Sequence, residues 1–276
     1  MVPWRESPAR RPGKEALTRG FVIMSGAPSP AACLRSLRAV VFDTDGVITD
    51  SAREHAAAWK GAFDAALAAV GGQLPFDPQA EYLRYVDGRS RQDGAAAFLA
   101  SRGVRLPLGE PDDAPGTGTV RAVAARKDEL FTAGLRRGGA TAWPGTVRLL
   151  EVLRRERVPC AAVSASRHAT ELLSATGVRA LLETVVDGNE AHRLGLPGKP
   201  DPALFLEAAR RLGVPAGDSA VVEDALAGVE AGRRGGFALV VGVDRTNSPA
   251  RAAEMRRSGA DLVVADPGEL LTCGEG

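Results

Sequence analysis

Residues 43–50 read Asp-Thr-Asp-Gly-Val-Ile-Thr-Asp and follow directly on the run Arg38-Ala-Val-Val-Phe42. Asp43 and Asp45 therefore stand two residues apart, where a short buried strand gives way to a tight loop at Gly46. Open α/β sheets bind ligands at that end of their strands. Two carboxylates so close repel unless a proton or cation separates them, and a divalent metal with hard oxygen ligands does this readily. The plain alternative is an acidic turn without chemistry. Three later segments argue against it. Val158-Pro-Cys-Ala-Ala-Val-Ser164 is a second strand-like run, ending in a hydroxyl. Lys199 lies in Gly198-Lys-Pro-Asp-Pro202, a stiff loop that aims an ammonium. Ser219-Ala-Val-Val-Glu-Asp224 is a third buried run, ending in paired carboxylates. Paired carboxylates, a hydroxyl, a cation and a second pair of carboxylates thus follow one another along the chain.

Those residues need a scaffold that brings several strand ends together. Strand-like runs at 158–164, 184–187, 219–223, 238–243 and 261–264 alternate with helical stretches at 145–155, 168–176, 202–212 and 225–234. Such alternation implies an α/β fold, a Rossmann-like parallel sheet with helices on both faces. Residues 52–143 show no convincing strand. Residues 51–70 are Ala-rich and helical in character, with Ser51 or Asp50 placed to cap them and Gly71-Gly72 to end them. Further helical patterns cover 81–101 and 120–137, separated by a loop at 106–119 rich in Pro, Gly and Asp. The expected division is a core made of 36–51 and 144–276, a helical insertion at 52–143, and a disordered lead-in at 1–35.

The order Asp-x-Asp, Ser, Lys, Glu-Asp, each at or just beyond a strand's carboxyl end, resembles the haloacid dehalogenase superfamily. Residues 42–51 with His55 and Trp59, Ser164-Ala-Ser166 and Val222-Glu-Asp-Ala-Leu-Ala-Gly228 are similar to its β-phosphoglucomutase subgroup. The similarity covers about residues 38–270 and is strongest in the core. The resemblance implies Asp43 as nucleophile and Asp45 as general acid and base. It implies magnesium held by Asp43, Glu223, Asp224 and the backbone carbonyl of Asp45. Ser164, the backbone at Ala165 and Lys199 would bind the transferring phosphoryl group. The helical insertion would be a mobile cap over the catalytic loops. Substrate contacts are expected from Ser51, His55, Trp59, Gly88, Arg91, Lys127, Ser166 and Arg167. Each has an ordinary alternative: His55 and Trp59, four apart on one helix face, read equally as a core pair, and the cap charges as solvated faces.

The chain departs from the mutase pattern in ways that bear on the reaction. Mutases of this group tend to have Lys where this chain has Asp87, Asn where it has Asp128, and Lys-Asn where it has Arg167-His168. Added acids weaken the grip on a bisphosphate, and an anionic Asp87 is expected to repel a distal phosphate. The expected activity is magnesium-dependent hydrolysis of a sugar phosphate, whether of a hexose, a trehalose-type sugar or a pseudo-disaccharide or cyclitol. Interconversion of β-glucose 1-phosphate and glucose 6-phosphate stands as the alternative. A monomer acting on a small-molecule substrate is expected.

Composition is consistent with this and narrows the alternatives. Among 276 residues, 35 Lys and Arg balance 34 Asp and Glu, so no electrostatic case exists for a nucleic-acid partner. No apolar run approaches the roughly 18 residues that span a bilayer. Three scattered cysteines support neither a disulfide framework nor a zinc site, and fit a reducing cytosol. The proline- and arginine-bearing first 35 residues lack periodicity and any secretory pattern. A translation start at Met24 would leave a shorter lead-in.

Overall fold

The computed structural model describes residues 28–138 and 141–273. In chain order the elements are β1 (Pro28–Pro30), α1 (Ala32–Arg35), β2 (Ala39–Asp43), α2 (Ala52–Val70), a π-helical turn (Tyr82–Val86), α3 (Arg91–Ser101) and α4 (Val120–Gly138). There follow α5 (Pro144–Arg155), β3 (Cys160–Val163), α6 (Ala169–Ala175), β4 (Thr184–Val186), α7 (Gly188–Leu194) and α8 (Ala203–Leu212). The chain closes with β5 (Ser219–Glu223), α9 (Leu226–Arg234), β6 (Leu239–Val243), α10 (Pro249–Ser258), β7 (Leu262–Val264) and β8 (Leu271–Cys273).

Six strands form a parallel sheet in the order β4-β3-β2-β5-β6-β7. β2 lies beside both β3 and β5, so the strand order reverses at β2, and the crevice beyond its carboxyl end is where such sheets bind ligands. Register does the positioning. Asp43 pairs with Val163, and Phe42 with Val222, which brings Glu223 level with Asp43 and Ser164 one residue beyond it. All five β2 residues are buried, as both-face coverage demands. Val40 and Phe42 pack with Leu149, Leu150 and Leu153 of α5 on one face, while Val41 packs with Phe205 and Ala208 of α8 on the other.

Between β2 and α5 the described residues contain only helical elements and loops. α2 buries Ala58, Trp59, Ala62, Phe63, Ala66 and Leu67, a single helical stripe. That stripe meets Phe98 of α3 and Val123 of α4 in a cluster separate from the two that flank the sheet. The pattern expected over 81–101 divides into the π-helical turn and α3, whose start is capped by Ser90 accepting from the Asp93 N–H.

The expected lead-in through residue 35 is corrected by the structure. β1 pairs antiparallel with β8, and Leu34 is buried against the α5 side of the core. Residues 1–27 lie outside the described residues, and so does that part of the expectation. α7 and α10 form where no helix was anticipated. α10 buries only Met255, so it carries almost no apolar stripe, although Ser248-Pro249 is a helix-start signal.

Candidate active site

The Lys199 side chain is fully buried, and its ammonium donates to the Asp43 carboxylate and, at 2.7 Å, to Glu223 Oε2. The Glu223 Oε1 atom accepts the Ala225 N–H at 2.9 Å, which fixes the carboxylate in place. Gly228 is obligatory here, since a Cβ on it would lie 2.0 Å from Glu223 Oε2. Asp224 completes the group: one oxygen each of Asp43, Glu223 and Asp224 lies within 4.8 Å of the others. Gly46, at φ +87°, lets the first loop pass Asp224, where a Cβ would meet Oδ2 at 1.8 Å.

The electrostatics of this cluster call for a cation. Burial, then the charge of Glu223, raises the Asp43 carboxyl well above its usual range, although Lys199 opposes. Burial, then Asp87 and Glu223, does the same to Asp224. Crowded hard oxygen donors whose ionised forms are mutually destabilised suit magnesium, which takes few carboxylates and completes its shell with water and phosphate oxygens. The Asp45 carboxylate is not part of the cluster.

Asp45 has the opposite surroundings. Its Oδ1 accepts from the Ser51 hydroxyl at 2.6 Å and from His55 Nε2 at 3.2 Å, and its Oδ2 from the Ser164 hydroxyl at 2.8 Å. Burial works to raise its pKa, but the positive potential of His55 and these donors outweigh it and hold the carboxyl below the usual range. A carboxylate only accepts, so His55 donates through Nε2. Its Nδ1 then accepts from Lys127, whose Nζ lies 2.7 Å away. Burial depresses His55, and Lys127 adds to this. Burial also pulls Lys127 down to about 7, against the opposing pull of Asp45 and Asp128. Phe131 stacks on the His55 ring at 3.9 Å, and the Lys127 ammonium sits 4.4 Å from the centre of the Phe131 ring.

The structure sorts the other expected contacts. Trp59, Gly88, Arg91, Ala165 and Ser166 line the candidate pocket together with Asp43, Asp45 and Lys199, a tight cavity of about 50 Å³. Trp59 also stacks on Phe63 at 4.6 Å, so the core-pair reading holds for it in part. Ser51 is corrected: it is fully buried, does not cap α2 with its side chain, and instead holds Asp45. Arg167 is corrected too, because it lines a neighbouring cleft of about 500 Å³ and not the candidate pocket. Ser164 spends its hydroxyl on Asp45, and its Oγ accepts the Ser166 N–H at 2.9 Å. Beside Lys127 on α4, the Arg126 Nε is buried with no hydrogen-bond partner among the described residues.

Two features escaped the sequence reading. Arg245, in the loop after β6, donates to the carbonyls of Gly46 at 2.7 Å and Val47 at 3.1 Å, and stacks 3.8 Å over Trp143. It ties the loop bearing Asp45 to the far side of the sheet. Asp87 pairs at 3.5 Å with Arg251 of α10, and Arg251 also donates to the Asp224 carbonyl at 3.0 Å. Burial pushes the Asp87 carboxyl up to about 7 against the pull of Arg251. Its influence therefore falls on the Asp224 end of the site. Neither arginine has a sequence neighbour that signals its role.

A parallel sheet with a carboxylate, a buried lysine and an acidic trio at one switch point, under a layer of helices, defines a class of α/β enzymes. The family model described as haloacid dehalogenase-like hydrolase matches residues 37–236, and the chain belongs to that family. A protein of Mycobacterium bovis named beta-phosphoglucomutase is 45% identical over 240 residues, 85% of this chain and 92% of that one. The validoxylamine A 7'-phosphate phosphatase of Streptomyces hygroscopicus subsp. limoneus is 28% identical, over 84% of this chain and 95% of its own. Among solved structures, a hydrolase from Pseudomonas syringae superposes with a TM-score of 0.66 at 28% identity, over 84% of this chain and 95% of that one. Among the described residues no helix is long and apolar enough to cross a membrane.

Proposed function

We propose that the protein hydrolyses a sugar phosphate through a phosphoryl-aspartate on Asp43. The observation that carries this is the contrast between two carboxylates two residues apart. Asp43 sits among a lysine and two acids that fit a metal, while Asp45 sits among proton donors. The lysine and metal-fitting acids around Asp43 suit a carboxylate kept anionic for attack, and the hydrogen-bonded chain ending on Asp45 suits proton transfer.

An Asp43 oxygen attacks phosphorus, the bond to the leaving oxygen breaks, and Lys199 offsets the charge that gathers. Magnesium, held by Asp43, Asp224 and Glu223, supplies further neutralisation when bound. Asp45, held as a carboxylate, passes to the leaving oxygen a proton received from His55 Nε2, and in the second half takes one from the water whose oxygen attacks phosphorus as the bond to Asp43 breaks. The chain from Lys127 Nζ through His55 to Asp45 Oδ1 lets the Asp45 proton be drawn from Lys127. The Ser164 hydroxyl and the Ser166 N–H, now spent on Asp45 and on Ser164, are placed to turn to the phosphoryl group.

Water as acceptor is favoured by charge. Five carboxylates (Asp43, Asp45, Asp87, Glu223, Asp224) face four basic side chains (Arg89, Arg91, Lys127, Lys199) around the pocket. Asp128 holds Arg91, so one of those four cations is already paired, which favours one phosphate dianion over two. The second reading, a mutase, is favoured by the name of the mycobacterial relative. Phosphorus NMR of a sugar-phosphate panel with magnesium separates them. Free phosphate is the expected product, and conversion of β-glucose 1-phosphate to glucose 6-phosphate with little free phosphate would make the mutase correct.

A further inference from the structure

Arg91 of α3 lines the catalytic pocket, and its planar guanidinium is the natural fork for a phosphate on the leaving group. One nitrogen of that fork is already taken. Asp128 of α4 binds Arg91 Nη1 at 2.5 Å through Oδ1, and the same oxygen accepts from His168 Nε2 at 3.0 Å. Burial works to raise the Asp128 carboxyl, but the hydrogen bond from His168 and the charge of Arg91 hold it at about 2, so it is ionised at neutral pH. The trio draws one group from each of α3, α4 and the loop before α6, and the Arg91 side chain is only 13% exposed. A packed three-way contact of this kind is more than a chance surface ion pair.

We propose that Asp128 determines specificity by excluding leaving groups that carry a second phosphate. The inference rests on the phosphoryl-transfer reading of the pocket. A dianion reaching Arg91 must either displace the Asp128 carboxylate from Nη1 or bind the remaining nitrogens beside that anion. A neutral polyol meets no such penalty, because its hydroxyls donate to Asp128 and accept from Arg91 or His168. The clasp thus selects monophosphorylated, polyhydroxylated substrates by repelling the alternative as well as by fitting the favoured one.

The test compares glucose 6-phosphate with glucose 1,6-bisphosphate by titration calorimetry in magnesium, on an Asp43→Asn background that stops turnover. With Asp128 intact, the bisphosphate should bind no more tightly than the monophosphate. Asp128→Asn should tighten the bisphosphate by roughly tenfold or more and the monophosphate by less than about threefold, as removal of one nearby charge predicts. Asp128→Glu should restore the original ratio. Equal shifts for both ligands would overturn the proposal. A protein with Asp128 intact that already prefers the bisphosphate tenfold would also overturn it, and that measurement needs no change at Asp128. Product identity by NMR is a separate readout: isomerisation would sink the hydrolase reading and leave the binding ratio to judge Asp128.

Discussion

Lys199→Met removes the one ammonium that touches both Asp43 and Glu223 while keeping an unbranched stem against Phe205, whose ring centre lies 4.9 Å from Nζ. The side chain is wholly buried, so water cannot take the ammonium's place. Breaking a buried ion pair from one side costs about 3–5 kcal/mol, because the remaining charge stays uncompensated. For a domain of this size each kcal/mol moves the melting temperature by roughly 2–4 °C, so the variant should melt about 10 °C lower in EDTA. Magnesium should return a large part of the loss. Without Lys199 the ion is the remaining cation for these carboxylates, and binding at a hundredfold excess over Kd restores about 2.7 kcal/mol. Thermal melts by circular dichroism, with EDTA and with magnesium, read both effects, and turnover should fall by orders of magnitude in either. A variant that melts within about 2 °C of the parent in EDTA, or gains no more from magnesium than the parent does, would refute the reasoning.

Lys127 gives a pH prediction. Its folded pKa is depressed to about 7 by burial, so between about pH 7 and the usual lysine value near 10.5 the unfolded chain binds a proton that the folded chain lacks. Stability should rise with pH across the lower part of that window, and urea unfolding of Lys127→Met at pH 7, 8 and 9 should show the rise reduced; identical slopes would contradict the burial argument. Arg245→Met should lower kcat by about tenfold to a hundredfold with little change in KM, since misplacing the Asp45 loop spoils alignment more than binding; an unchanged kcat would remove Arg245 from the positioning role. Gly46→Ala should abolish magnesium-dependent stabilisation, because the methyl meets Asp224 and the backbone sits at φ +87°; a normal magnesium response in melting would show that the loop yields.

The sheet was legible because each strand is a short buried run between turn signals, and three of the four motifs end at strand carboxyl termini, the Lys199 motif instead following α7. The convergence of Asp43, Ser164, Glu223 and Asp224 followed from that order, since parallel neighbours bring those ends together, while Lys199 reaches them from the loop between α7 and α8. Partnerships across the sequence were not legible. Nothing around Ser51 tells whether its hydroxyl caps a helix or holds Asp45, because both uses need the same short polar residue before an Ala-rich run. Asp87 and Asp128 looked equivalent as added acids. Only their partners, Arg251 on one side and Arg91 with His168 on the other, separate a residue bearing on Asp224 from one that occupies the pocket's guanidinium. Residues 28–35 were read as disordered by composition, yet Leu34 and the β1–β8 pairing use a core face and a strand partner that lie far along the chain.

The central claim is that Asp43 carries the phosphoryl group and Asp45 lets it leave. Asp45→Asn, mixed with a turned-over sugar phosphate and magnesium, quenched and digested, tests it by mass spectrometry. The account predicts a phosphoryl group on the peptide containing Asp43, with steady-state release nearly abolished. An unmodified Asp43 alongside turnover close to that of the parent would contradict it.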